Sequence, residues 1–89
     1  MSVYDLFRKL GFSYVSESEE GITYTSITEY DKCGNEFNNV ITFWYDTKSI
    51  TVFREKHFKP YGDLYEPFEI TPELREVINK QIEELGWTD

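Results

Sequence analysis

Residues 70–87, ITPELREVINKQIEELGW, spell a complete amphipathic helix with both of its end signals. Thr71 can accept hydrogen bonds from the first orphan amides, and Pro72 suits the first helical position, where no backbone donor is needed. Glu73 and Glu76 place negative charge near the positive end of the helix dipole. Leu74, Val77, Ile78, Ile82 and Leu85 recur at the spacing of one helical face. Gly86 supplies a left-handed stop, after which Trp87 can fold back onto the last turn. A helix of this kind must bury its apolar stripe, so the rest of the chain has to supply a second layer.

Residues 2–10, SVYDLFRKL, read as a shorter helix with Ser2 as its cap and Val3, Leu6, Phe7 and Leu10 as its stripe. It closes in LGF at 10–12, as the long helix closes in LGW at 85–87, so each helix ends by tucking an aromatic residue inward. Between the helices, 12–16, 22–30, 38–45 and 50–55 are rich in β-branched and aromatic residues, as strands are. ESEEG at 17–21, DKCGNE at 31–36 and DTKS at 46–49 read as turns. KHFKPYGDLYEPFE at 56–69 reads as a long loop, well beyond the usual ~4–6 residues. Short links favour sequential antiparallel pairing. The expectation is an α+β two-layer sandwich, α-β-β-β-β-α: a meander of three to four strands with both terminal helices on one face.

Eighty-nine residues bound the chain to a single domain, 1–89, with a small core filled by seven Phe, seven Tyr and two Trp. No apolar run approaches the ~20 residues of a membrane span, and the start does not read as a signal peptide. The lone cysteine, Cys33, has no internal partner. The expected setting is the cytoplasm. The net charge of −8 disfavours free nucleic acid and anionic membrane as partners and suits a basic protein surface.

Constellations for catalysis are sparse. His57 is the sole histidine, and Cys33 stands in a different predicted element, so no relay is legible. Zinc spacing, an EF-hand loop and a glycine-rich phosphate loop are all missing from the sequence. No catalytic residue, metal site or cofactor is expected. The one locally basic and aromatic stretch is 54–62. There Arg54, Lys56, His57, Phe58 and Lys59 could form a ligand pocket in the 54–65 loop, holding a nucleotide, at an interface between copies. That pocket is the alternative; the exposed aromatics are the leading candidate. One of the alternating sets Ile41/Phe43/Tyr45 and Val40/Thr42/Trp44 must face away from the helices, and such patches anchor protein partners. The expected partner-binding residues are Glu17, Glu19, Glu20, Glu29, Asp31 and Glu36 for steering, with Trp44, Tyr61 and Tyr65 as anchors; the outer acids of the long helix, Glu73, Glu76, Glu83 and Glu84, would add to the field.

The opening LFRKLGF at 6–12, the runs YTSITEY and ITFWYDTKSITV, and the ending VINKQIEELGW at 77–87 together make the chain resemble small, largely uncharacterised phage and prophage proteins of Gram-positive bacteria. The resemblance implies a setting: a small acidic protein that binds and inhibits a host protein as an anti-defence or host-takeover factor. CRISPR effectors, restriction enzymes and transcription factors are the implied targets, reached by acidic mimicry of nucleic acid. It implies no enzyme and no catalytic residue. A monomer or small homo-oligomer is expected. An accessory role in the phage is the alternative, beside the nucleotide-sequestering one.

Overall fold

The computed structural model describes residues 2–58 and 62–87. The order is α1 (Val3–Lys9), β1 (Tyr14–Glu17), β2 (Gly21–Thr25), β3 (Glu29–Tyr30), β4 (Glu36–Trp44), β5 (Ser49–Phe58), β6 (Gly62–Glu66) and α2 (Pro72–Glu84). The strands form one antiparallel sheet in the order β1-β2-β4-β5-β6, with β3 pairing β4 beyond the end of β2. This is the expected α+β arrangement with N- and C-terminal helices, built on six strands rather than four.

Both helices start and stop as their sequences dictate. Ser2 Oγ accepts from the Asp5 amide, and Thr71 Oγ1 accepts from the Leu74 amide, each at 3.2 Å. At the C-terminus of α1, the Gly11 amide donates to the Arg8 carbonyl and the Phe12 amide to the Phe7 carbonyl. At the C-terminus of α2, Gly86 donates to Glu83 and Trp87 to Ile82. These are two copies of one Schellman stop, and Gly11 (φ +95°) and Gly86 (φ +74°) supply its left-handed residue. Each stop returns an aromatic ring to the core: Phe12 meets Phe7 edge-on at 6.0 Å, and Trp87 lies 6.3 Å from Phe43.

The core lies between the helices and one face of the sheet. Ile22 and Tyr24 of β2, Ile41 and Phe43 of β4, and Ile50 and Val52 of β5 face Val3 and Phe7 of α1 and Leu74, Val77 and Ile78 of α2. Phe7 stacks on Tyr24 at 3.9 Å, and Phe43 meets both rings edge-on. A buried polar pair crosses the layers, where the Tyr24 hydroxyl donates to Gln81 Oε1. Burial raises the Tyr24 pKa far above its usual value, so the phenol stays a donor.

Two predicted elements differ from the structure. The strand predicted over 22–30 is interrupted. Thr25 pairs with Val40 and Glu29 with Phe37, so three residues of the first strand oppose two of the second, which makes a bulge. Side chains stabilise it: Ser26 Oγ accepts from the Asn39 amide (2.7 Å), and Asn38 Nδ2 donates to the Ser26 carbonyl and to Thr28 Oγ1. The long loop predicted over 56–69 is mostly a hairpin. β5 runs on to Phe58, and β6 returns over 62–66. Alternating residues in both strands allow the ladder from Arg54↔Glu66 to Phe58↔Gly62. Only the following stretch crosses back to α2, carrying Phe68 and Ile70 against the core.

Candidate functional site

Strand alternation decides which residues the helices leave uncovered. Ile41, Phe43 and Tyr45 face the helices, so Val40, Thr42 and Trp44 look the other way. The register extends this second face across the sheet. One row carries Tyr14, Thr25, Val40 and Phe53, and Tyr65 meets Phe53 edge-on at 5.5 Å. A neighbouring row carries the hydroxyls of Ser16, Thr23, Thr42 and Thr51. Thr23 and Thr42 share a hydrogen bond of 3.1 Å, and the Trp44 indole N–H donates to Thr51 Oγ1. Trp44, Tyr14 and Tyr65 remain 39, 61 and 59% exposed, which makes them contact surface rather than filling. Val40 is buried yet stands outside the core cluster, since it is covered from this side by its neighbours alone.

Both ends of the face are acidic. Beside Trp44, an open depression is lined by Glu20, Asp46, Thr47 and Ser49. The chain approaches closely there: a Cβ on Gly21 would lie 2.2 Å from the Phe43 carbonyl oxygen, so only glycine fits opposite Trp44. At the far end, Glu36, His57 and Asp63 are consecutive partners across β4, β5 and β6, with Glu55 one step along the same face. His57 Nδ1 lies 2.6 Å from Asp63 Oδ1, and His57 Nε2 lies 3.8 Å from Glu55. The Asp63 hydrogen bond holds the imidazole pKa above its ordinary value. The described strands place their two fixed cations, Arg54 and Lys56, on the helix side. Arg54 Nε donates to Asn39 Oδ1 (3.0 Å) and its guanidinium lies 5.2 Å from the centre of the Phe37 ring; Lys56 pairs with Glu66 at 3.4 Å.

The structure thus sorts the expected site residues. Trp44, Tyr65 and Glu36 share the open face. Glu19 and Glu20 are exposed in the turn at its Trp44 end. Glu17 is on the opposite side and accepts from the Tyr45 hydroxyl at 3.2 Å. Glu29 lies on the helix side at the distal end. Asp31 caps its own turn, accepting from the amides of Cys33 and Asn35 at 2.9 Å. The Asn35 amide is the main reason its carboxyl pKa lies below the usual value. The acids of α2 are exposed, because that helix buries Leu74, Val77, Ile78 and Gln81, and Glu73 lines the helix-side groove with Asn39 and Arg54. Tyr61 and Lys59 lie outside the described residues. The predicted pocket at 54–65 does not assemble as a loop: Arg54, Lys56 and Phe58 share one face of β5, and His57 takes the other. Arg54 instead lines a groove on the helix side with Leu10, Phe12, Phe68 and Leu74.

The fold does bring Cys33 and His57 to one depression, together with Gly34, Asn35 and Glu36. The side-chain contacts of His57 nonetheless run to two carboxylates, Asp63 at Nδ1 and Glu55 at Nε2, rather than to the Cys33 thiol. Sequence reasoning offered Thr42 with Val40 and Trp44 as one of two candidate outward sets, and missed Thr51, Phe53, Glu55 and Asp63 as members of the face. The turn word PYG at 60–62, flanked by alternating residues, is the signal that could have found them. Among the described residues no helix is long and apolar enough to cross a membrane. The chain matches no known family model, no curated protein and no solved structure.

Proposed function

We propose that the protein is a non-enzymatic binding module that takes a basic surface of a partner protein onto its open sheet face. The observation that carries this reading is the segregation of charge by strand alternation. The uncovered face presents Trp44, Tyr14, Phe53 and Tyr65 between acidic ends, while the strand cations are turned to the helix side. Aromatic anchors with complementary rim charge are the features that supply binding energy and fast association at protein interfaces. The dimensions also suit it. The molecule measures 45 × 26 × 20 Å, and the shortest axis corresponds to two stacked layers. The sheet therefore spans the broad side, wide enough for the ~800 Å² that each partner of a stable complex buries.

In the setting implied by the phage resemblance, the partner is a nucleic-acid-binding protein of the bacterial host, inhibited in the host cytoplasm. The test is a pull-down with tagged protein from nuclease-treated lysate of a Gram-positive host, repeated with Trp44→Ala/Tyr65→Ala. A stoichiometric protein retained by the wild type, lost with the double variant and released by salt supports the proposal. A partner retained equally by both would refute the assignment of the face.

A further inference from the structure

We infer that the distal end of the open face is a binding site for a divalent transition-metal ion of the zinc class, held by His57 Nε2 and the Glu55 carboxylate and oriented by Asp63. The ligand atoms of Glu55, His57 and Asp63 all lie within 4.8 Å of one another. They come from directly paired strands: His57 and Asp63 are opposite each other in the β5–β6 ladder, and Glu55 precedes His57 by one step on the same face. An ionised carboxylate only accepts hydrogen bonds, so the 2.6 Å contact with Asp63 assigns the proton to Nδ1. Nε2 is then the ring atom left to bind a metal once it carries no proton, and it lies 3.8 Å from a Glu55 carboxylate oxygen.

This is the arrangement by which a carboxylate fixes the tautomer and direction of a metal-ligating imidazole. Tetrahedral zinc with bonds of ~2.0–2.1 Å holds its ligand atoms about 3.4 Å apart. Glu55 needs to close by only a few tenths of an ångström. One imidazole nitrogen with carboxylate oxygen selects zinc, cobalt or nickel over magnesium and calcium, which prefer oxygen alone. Glu36, opposite His57 on β4, adds negative charge at the site. Both ligands belong to a strand paired on both sides. The inference is independent of the partner-binding proposal, because it is read on the isolated protein.

The experiment is a titration of the full chain with Zn²⁺, followed by calorimetry and by the ¹⁵N shifts of the His57 ring, with Mg²⁺ as comparison. The expected result is saturation at one ion per chain, with the large shift at Nε2 and no equivalent response to Mg²⁺. His57→Gln and Glu55→Gln should each lose at least tenfold in affinity, and Asp63→Asn roughly 10- to 100-fold, the usual effect of removing an orienting partner. All three sites are on the solvent face, and far-UV circular dichroism checks that the variants stay folded. Non-saturating binding spread over many carboxylates would overturn the inference. So would a loss confined to Cys33→Ser with His57→Gln unaffected.

Discussion

Tyr24 and Gln81, 57 positions apart, form a hydrogen bond inside an otherwise apolar interface between the sheet and α2. Both side chains are buried, and no buried side-chain polar atom among the described residues is left without a partner. The pair fixes where α2 sits along β2, because sliding the helix would strand both groups. Tyr24→Phe and Gln81→Leu should each destabilise the fold by about 1–3 kcal/mol, the cost of leaving a buried partner unsatisfied. The double variant should lose clearly less than the two combined, since it removes both polar groups. Urea denaturation of the four proteins gives the coupling directly, and additive losses would show that the bond fixes nothing.

The glycines separate two kinds of constraint. At Gly11 and Gly86 an added Cβ meets no atom within 4 Å, so Gly→Ala there is penalised by the left-handed backbone alone, about 1–2 kcal/mol. At Gly21 the added carbon collides with the Phe43 carbonyl, which is itself part of the β2–β4 ladder. Gly21→Ala should therefore be the most damaging of the three. Thermal melts under one buffer condition rank them, and an equal or milder effect at Gly21 would contradict the close approach.

Asp31 gives a pH dependence with a definite sign. Hydrogen bonds from the Asn35 amide, the Asn35 side chain and the Cys33 amide lower its folded pKa below the ordinary 3.8. A carboxyl depressed on folding stabilises the fold above its unfolded pKa, and that contribution is lost as pH falls through the folded value. Asp31→Ala should be less stable than wild type at neutral pH, with the gap closing in acid below both values. A ¹³C titration of the Asp31 carboxyl checks the shift itself, and an unshifted midpoint would remove the basis for the effect.

For a captured protein partner, alanine substitutions should divide by face. Trp44→Ala or Tyr65→Ala should weaken binding by about 2 kcal/mol or more if these rings are central anchors. Lys56→Ala and Glu73→Ala, on the helix side, should change it little. Affinity for the wild type should fall as salt rises, because the rim acids are exposed and screened. Surface plasmon resonance at several salt concentrations reads both. Salt-independent binding would show that charge does not steer the encounter.

Local chemistry explains which parts of this architecture were legible in the sequence. The helix ends were readable because Ser2, Thr71, Gly11 and Gly86 each satisfy backbone groups within a few positions. The alternation in β4 was readable for the same reason, although not which set faced outward. β6 was not legible as a strand, because GDLYE has weak strand propensity and is ordered by pairing with β5. The break at 26–28 also escaped notice, since it depends on Ser26 and Asn38 reaching backbone groups of another strand. The His57–Asp63 contact follows from the register of a hairpin whose existence had to be known first.

The sheet is longer than the layer of helices that covers it. The core cluster takes Ile50 and Val52 from β5 and nothing further along that strand, yet the ladder continues to Phe58. The protein therefore has two tiers of local stability. Amides of β2 and of 41–43 should exchange with deuterium only through global unfolding, while those of 55–58 and 63–66 should exchange through cheaper local openings. A ligand or partner seated on the distal end would raise protection in the second tier alone, so the protein carries its own reporter of where it is bound.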